Sequence, residues 1–414
     1  MKADVVVVGG GPAGMMAAAS AALYGADVLL LEKNPKLGRK LMITGKGRCN
    51  VTNHCDVQEF LQNIPTNPRF LQGALHRFTP QDTMDLFERL GVPLKTERGR
   101  RVFPQSDRAV DIVDAMRRYV QQSGVRIHAD SPVQRLVLDG QKICGVELKD
   151  GSVVQTEKVI LATGGLSYPL TGSTGDGYRF AQQAGHTIVQ PRASLVPIET
   201  KEDWCRYAQG LSLKNVTLTA VDAESGKTVY SELGEMLFTH FGISGPLVLS
   251  LSAHLGDLSH RQYRLLIDLK PALDLQTLDE RILRDFSEQQ NKDFGNSLGK
   301  LLPRKIIPVV IRLSGISPDL KVNQITREQR QQLCRLLKGL PLTVWRFRPV
   351  DEAIVTSGGV SVKEINPKTM ESKLVSGLYF AGEMIDVDGY TGGFNLQIAF
   401  STGYAAGFGC QGGF

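Results

Sequence analysis

Val5-Val6-Val7-Val8-Gly9-Gly10-Gly11-Pro12-Ala13-Gly14 is the stretch from which the fold is read. Four β-branched residues in a row predict a short strand buried on both faces. Gly9-x-Gly11-x-x-Gly14 follows at once, and the Ala-rich run Met15–Leu23 predicts a helix. Gly25 ends that helix, Val28–Leu31 is a second buried strand, and Glu32 closes it. Each part has a physical task. Gly9 permits the tight strand-to-helix turn, Gly11 lets backbone approach a pyrophosphate, and Gly14 lets the helix pack against the sheet. The helix N-terminus presents free N–H groups and a positive dipole end to the phosphates, and Pro12 and Ala13 of the same loop are counted with the cofactor site. Glu32 is placed to accept hydrogen bonds from ribose hydroxyls and to disfavour a 2′-phosphate. Strand, loop, helix, second strand and acid together specify a dinucleotide site, without separating NAD from FAD.

The rest of the composition narrows the setting. A chain of 414 residues exceeds one ordinary core, so two or three domains are expected. The net charge of +6 permits attraction to phosphates. No Lys/Arg run with interleaved aromatics accompanies it, so nucleic acid is not expected as a partner. No secretory leader and no apolar stretch of membrane-spanning length are readable. The six cysteines form neither a CxxC pair nor a zinc-like cluster. A cytoplasmic protein with reduced thiols and no metal is the expectation, and nothing points to an oligomeric state.

Farther along, Val125–Ala129, Val133–Leu138 and Ile143–Leu148 read as a three-stranded meander, with Asp139-Gly140 and Asp150-Gly151 as turns. Lys158–Ala162 is a strand running into Thr163-Gly164-Gly165. This order resembles the FAD domain of glutathione-reductase-like flavoproteins, in which the Thr-Gly turn lies against the dinucleotide. Thr171–Tyr178 is a second glycine-rich turn, similar to the TGDG segment of fumarate-reductase-type flavoproteins. It enters a helix over 178–184 that Asp176 would cap. From Arg192 the pattern changes. Asn215–Val221, Thr228–Tyr230, Met236–Thr239 and Arg264–Leu269 read as strands. Leu275–Gln289 and Ile306–Leu313 read as amphipathic helices, and Thr326–Gln329 is a capping box opening another. The domain expectation is therefore 1–191 and 344–414 for one discontinuous domain, with 192–343 inserted and its helical part at about 274–338.

The C-terminal segment returns to the first style. Leu378–Ala381 is a strand ending at Gly382-Glu383, and Thr391-Gly392-Gly393-Phe394-Asn395-Leu396-Gln397 opens the last helix. In the resembled superfamily the acid holds the ribityl chain, and that helix points its N-terminus at the flavin pyrimidine ring. Helix-terminal N–H groups suit the negative charge of reduced flavin. This favours FAD over NAD as the held cofactor.

Four segments carry a fuller resemblance: Gly38-Arg39-Lys40 through Gly45-Lys46-Gly47-Arg48-Cys49-Asn50-Val51-Thr52-Asn53; Gly99–Pro104; Phe238–Pro246; and Gly382–Gln397. With them the chain resembles the BaiN-like NAD(P)/FAD-dependent flavoprotein family over essentially its whole length. The resemblance implies an α/β fold: a discontinuous Rossmann-like FAD-binding domain with an inserted β-barrel-like plus helical domain expected to cover the flavin. It places Lys33, Arg39, Lys40, Arg48, Cys49, Asn50, Val133, Thr163, Gly164, Gly165, Gly382, Glu383, Asp386, Gly393, Asn395, Leu396 and Gln397 at the cofactor, beside Gly9, Gly11, Pro12, Ala13, Gly14 and Glu32.

For the chemistry, FAD carries the redox step and the protein orients and tunes. Arg48 either stabilises anionic reduced flavin or pairs with a carboxylate or phosphate. Cys49 has no second cysteine for a dithiol relay and reads as a small buried residue. His240, before Gly242–Pro246 where Ser244 would cap a helix, is the other catalytic candidate, as an acid, or else a structural histidine. Arg98, Arg100 and Arg101 either receive the phosphates of NAD(P)H or of an anionic substrate, or form a solvated loop. A second GxGxxG unit is not found, so NAD(P)H would be a transient donor. Three readings follow for the function: an NAD(P)H-fed reductase of an activated, enone-like C=C in a small molecule; an oxidase of a small amine or amino-ketone; or a flavin-binding protein associated with RNA modification.

Overall fold

Val5–Val8 forms the middle of a five-stranded parallel sheet in the computed structural model, which describes residues 1–256 and 258–412. The order across the sheet is Leu378–Phe380, Val159–Leu161, Val5–Val8, Val28–Leu31, Arg126–His128, and every pair is parallel. In chain order this is the 3-2-1-4-5 arrangement of doubly wound sheets, which change direction beside the first strand. The central strands are buried throughout, as the β-branched and Leu runs require.

The chain divides into two units, Met1–Ser194 with Val350–Phe414, and Leu195–Pro349. In the first, helices Pro12–Leu23 and Ala109–Gln122 carry two of the parallel crossovers. A meander packs beside the sheet, but its strands are Val133–Asp139, Lys142–Leu148 and Val153–Gln155. The expected meander strand at Val125–Ala129 instead pairs in parallel with Leu29–Leu31. It follows the crossover helix 109–122, and a strand after such a helix returns to the parent sheet. Ile188–Ser194 pairs with Val355–Val360, and a small sheet joins Thr52–Asn53, Arg101–Pro104 and Leu94–Glu97.

The second unit is a closed six-stranded barrel: Ile198–Thr200, Gly242–Ser244, Thr228–Phe238, Ser212–Asp222, Tyr263–Asp268 and Leu340–Phe347. Its last strand spans the 343/344 boundary expected from the sequence. Inward residues alternate along the strands, with Leu218 and Ala220 meeting Leu265 and Ile267. The two strands expected at 228–230 and 236–239 are one, running through Gly234, over which Leu247 packs. Helices Leu275–Ser287, Ile307–Ser314 and Arg327–Lys338 bury Leu278, Ile282, Val309, Val310, Leu333 and Leu337. The Thr326–Gln329 capping box is formed, with both reciprocal hydrogen bonds present. Ser244, by contrast, lies in a strand, and the helix Pro246–His254 begins after Gly245. Gly245 adopts φ +96°, and a Cβ there would meet backbone of Met236.

One buried histidine ties the C-terminal part of the first unit to its body. His186 has a fully buried side chain, with Nδ1 3.1 Å from Glu364 Oε2 and Nε2 2.7 Å from Ser372 Oγ. Burial holds its pKa below the usual imidazole value, against the opposing pull of Glu364. The unfolded chain therefore gains a proton at a pH where the native state does not. Stability is expected to fall as pH drops from about 6.5 toward the depressed native value. Urea unfolding of His186→Gln between pH 7.5 and 5 should show a shallower decline than the parent; an equal slope would refute this assignment.

Candidate functional site

The switch point of the sheet lies between Val5–Val8 and Val159–Leu161, and ligands bind outside the carboxyl ends of such strands. Gly9 follows the first and Ala162 the second. Gly9 adopts φ +106°, and a Cβ on it would lie 2.5 Å from Ala162 O. A Cβ on Gly14 would collide with Gly9 O. Gly11 differs: none of the described residues lies within 4 Å of a Cβ built there. The loop is thus closed on its protein side and open at Gly11, above the helix that starts at Pro12. This is a cradle for an anion on free N–H groups.

Glu32 is 8% exposed and organises the second strand's end. Its Oε2 accepts the Gly10 N–H at 2.7 Å; Oε1 accepts the Asn34 N–H and Nδ2 at 2.8 and 2.6 Å. Asn34 Oδ1 in turn accepts from Arg39 at 2.6 Å. Lys33 Nζ donates to Thr174 Oγ1 and Asp176 Oδ2 at 2.5 and 2.6 Å, clamping the glycine-rich turn 171–177 onto this edge. Burial pushes the Asp176 carboxyl up, but Lys33 and Thr174 outweigh it and the net shift is down. Asp176 is the first residue of its helix, after Gly175 at φ +78°, and not the cap expected from sequence.

Opposite, Glu383 follows the strand Leu378–Phe380. Its carboxylate accepts from Lys40 Nζ at 2.5 Å, Ser167 Oγ at 2.8 Å and the Thr356 N–H at 2.9 Å. Gly165 packs so closely that a Cβ would press on Thr356 and Glu383. Thr163 lies under Gly177, Gly164 turns at φ +75° beside Ser173, and Val133 is buried at the start of the meander. Asp386 accepts from Asn67 Nδ2 at 3.0 Å, and burial raises its pKa. The sequence reading misses Asp388, 2% exposed, which accepts from Ser194 at 2.8 Å and Ser357 at 3.0 Å. The small polar run Thr356-Ser357-Gly358-Gly359 inside an apolar strand is its available signal.

The last helix, Phe394–Gly409, starts after Gly393, whose φ of +101° brings it against Thr52 backbone. Asn395 does not point outward: its amide exchanges hydrogen bonds with Gly389 at 2.9 and 2.6 Å. Gln397 is fully buried, accepting from Thr52 and Thr83 and donating to Phe78 O and Ser401. Both side chains therefore shape the loop, leaving backbone N–H groups near Leu396 as the helix's free donors. This helix runs alongside Pro12–Leu23 in the same direction, Gly403 against Ala13 O and Gly407 against Ala17 O. At 1.5 Å per residue its N-terminus stands roughly 12 Å ahead of the first helix's.

Around the Gly45–Asn50 loop the backbone is strained. Lys46 and Cys49 adopt φ +59° and +60°, and Gly45 and Gly47 are left-handed too. Arg48 lies over the Phe103 ring, 4.1 Å from its centroid, and pairs with Glu97 and Asp107 at 2.5 Å each. These partners hold its guanidinium charge above its usual range, and Arg48 in turn holds Glu97 down. Cys49 is buried, which pushes its thiol up to about 12, unsuited to nucleophilic chemistry. His240 is exposed on the barrel turn between Thr228–Phe238 and Gly242–Ser244, stacked edge-on to Phe241.

Asn50 Oδ1 is buried, and no hydrogen-bond partner reaches it among the described residues. An acceptor left without a protein donor fits a ligand that brings its own N–H or O–H groups, as FAD does. Together with the open face of Gly11, this agrees with FAD as the cofactor. Gly9–Gly14 would hold the pyrophosphate, Glu32 the adenosine ribose, and the Glu383 region with the last helix the flavin end. Gly11→Ala should fold normally, since its Cβ meets no atom, yet lose FAD affinity because the methyl occupies the phosphate approach. Gly14→Ala should fail at the folding step. Thermal melts with flavin-to-protein absorbance ratios check both; full flavin content in folded Gly11→Ala would contradict the cradle.

The family model of the HI0933-like protein Rossmann domain matches residues 3–409. The 3-dehydro-bile acid delta(4,6)-reductase of Clostridium scindens is 32% identical over 406 residues, covering 97% of each chain. The ribosomal RNA dihydrouridine synthase of Escherichia coli is 34% identical, covering 97% of this chain and 96% of its own. A 3-ketosteroid-Δ4-(5α)-dehydrogenase structure from Rhodococcus jostii aligns over 99% of this chain and 97% of its own, with TM-score 0.53 and 16% identity, a likeness of fold. The chain therefore belongs to the HI0933-like Rossmann family of FAD-dependent oxidoreductases.

Proposed function

We propose that this oxidoreductase reduces a C=C bond conjugated to a carbonyl, with NAD(P)H as the electron donor. The observation that carries the reading is the chemistry shared by the nearly full-length relatives of two different names. A 3-dehydro Δ4,6 steroid and a uracil ring both present a C=C activated by a carbonyl. The net reaction adds two hydrogens across that bond: NAD(P)H gives a hydride equivalent and becomes NAD(P)⁺, and a proton completes the saturated product. FAD supplies the hydride-transfer chemistry when bound. The protein's part is to hold the cofactor at the switch point and to set helix-terminal N–H groups where negative charge develops.

Anaerobic addition of NADH or NADPH should bleach the flavin, and a 3-oxo-Δ4,6 steroid should then restore the oxidised spectrum while the saturated ketone does not. Failure of both nucleotides to bleach would remove NAD(P)H from the reading. A second substrate reading, uridine in ribosomal RNA, is supported by the Escherichia coli and Haemophilus influenzae relatives, each 34% identical. Reoxidation by an unmodified ribosomal RNA transcript, with dihydrouridine formed, and not by the steroid would select it.

His240 is the proposed proton donor, motivated by its exposed position on the barrel turn. His240→Gln should slow the substrate-dependent step by about 10²–10⁴-fold, the usual worth of a general acid, while leaving bleaching by NAD(P)H unchanged. Equal substrate rates in the variant would return His240 to a structural role.

A further inference from the structure

Three cations of the first unit, carried by two neighbouring loops, make no salt bridge among the described residues. Arg48 is neutralised by Glu97 and Asp107, Lys95 by Asp107, and Arg100 by Glu59. Lys46 and Arg98 are close in the chain to Arg48 and Glu97, and Arg101 lies across the strand from Glu97, whose carboxylate its charge helps hold down; none of the three makes a salt bridge among the described residues. Phe103 lies between the two loops that carry them. Gly45, next to Lys46, approaches the Phe103 ring, so that a Cβ would lie 3.4 Å from it. The Arg101 guanidinium is 5.9 Å from the same ring's centroid, and its Nε donates to Arg98 O at 3.1 Å. Lys46 and Arg98 are exposed and Arg101 is half-buried.

The backbone that carries them is unusual. Lys46, Gly99 and Arg100 all adopt left-handed φ, at +59°, +75° and +57°. Non-glycine residues in that region persist only where the surroundings enforce it, and such strain collects at ligand clamps. A single side chain ties this turn to the cofactor end of the fold: Asn53 Nδ2 donates to both Gly99 O and Gly392 O, each at 3.0 Å. Gly392 immediately precedes the loop that starts the last helix. The cationic turn is therefore fixed beside the flavin end of the site, away from the pyrophosphate cradle of Gly9–Gly14.

We infer that Lys46, Arg98 and Arg101 form the docking site for the diphosphate of the visiting pyridine dinucleotide. The inference rests on the reading of NAD(P)H as donor and assigns it a place. Two arginines and a lysine match a diphosphate in charge, with guanidinium forks able to take phosphate oxygens in pairs. The paired acids Glu59, Glu97 and Asp107 border the group. They confine positive charge to one turn and one loop, whereas a polynucleotide needs a cationic groove that follows several phosphates.

ADP-ribose carries the diphosphate without a redox group, so its binding is independent of flavin reduction. Calorimetric titration of the FAD-replete enzyme should show ADP-ribose binding that weakens as salt rises. Lys46→Asn, chosen because asparagine tolerates left-handed φ, combined with Arg98→Ala and Arg101→Ala should weaken it by about tenfold or more for each cation removed, the equivalent of roughly 1.4 kcal/mol apiece. Arg98→Lys should recover part of the loss, since it keeps the charge. Unchanged flavin absorbance and melting temperature would show that the fold is intact. The site is overturned if the parent enzyme does not bind ADP-ribose at millimolar concentration, if the charge variants bind it equally well, or if these residues govern binding of an RNA hairpin and not of ADP-ribose. ADP-ribose binding without bleaching by NADH or NADPH would keep the site and reject the donor.

Discussion

The first unit depends on one steric constraint, the approach of two helices to backbone distance. Ala13, Ala17 and Ala21 of the first helix face Gly403 and Gly407 of the last, and any Cβ on those glycines would collide with carbonyl oxygens of the first helix. Ser20 Oγ adds a hydrogen bond to Tyr404 O at 3.2 Å. Gly382, at the end of the fifth strand, closes the corner: its N–H donates to Thr402 Oγ1 at 2.9 Å, and a Cβ on it would press on Ala13. Side chains larger than these would part the helices and lose their alignment. Because the helices are parallel and staggered, their positive ends face the same side of the sheet at two depths. The dinucleotide site is in this sense a product of small residues more than of polar ones.

The polar residues then divide into two groups. Glu32, Lys33, Lys40, Asp176 and Glu383 are bound to one another or to backbone. Lys33–Asp176 and Lys40–Glu383 are half-buried pairs, and their value lies in holding loops in register, since such pairs add little net stability. Arg48 belongs with them, with its charge balanced by two carboxylates and its plane on Phe103. Free donors at the Gly9–Gly14 cradle are backbone N–H groups, which cost no reorganisation when charge develops nearby.

How much of this is legible in the sequence follows from the range of each interaction. The βαβ unit can be read residue by residue because strand, turn and helix are encoded locally, by four valines, three glycines and an alanine run. The barrel strands are visible from alternation, though Gly234 reads as a break because the packing of Leu247 over it is not local. Strand Arg126–His128 reads into the wrong sheet because its partner lies about a hundred residues away in the chain, at Leu29–Leu31. Asn395 and Gln397 read as cofactor ligands by position in a motif. Their side chains serve Gly389, Thr52 and Thr83, partners that motif spacing does not encode. Asp388 escapes notice for the same reason: its partners Ser194 and Ser357 come from different strands.

A single dinucleotide loop in an enzyme proposed to use two nucleotides has a physical consequence. A crevice lined by backbone, closed by Gly9 and Gly14 and bounded by a buried acid, is pre-organised. Its ligand does not have to order side chains on binding, which favours permanent retention. Exposed lysine and arginine side chains on a turn are different. They lose rotamer freedom whenever they engage a ligand, and salt screens them. The first construction suits a cofactor that stays, and the second suits a donor that must leave after each turnover. On the proposed reading, the two dinucleotides would be told apart by how much of each binding surface is already ordered in the fold, without a second Rossmann unit.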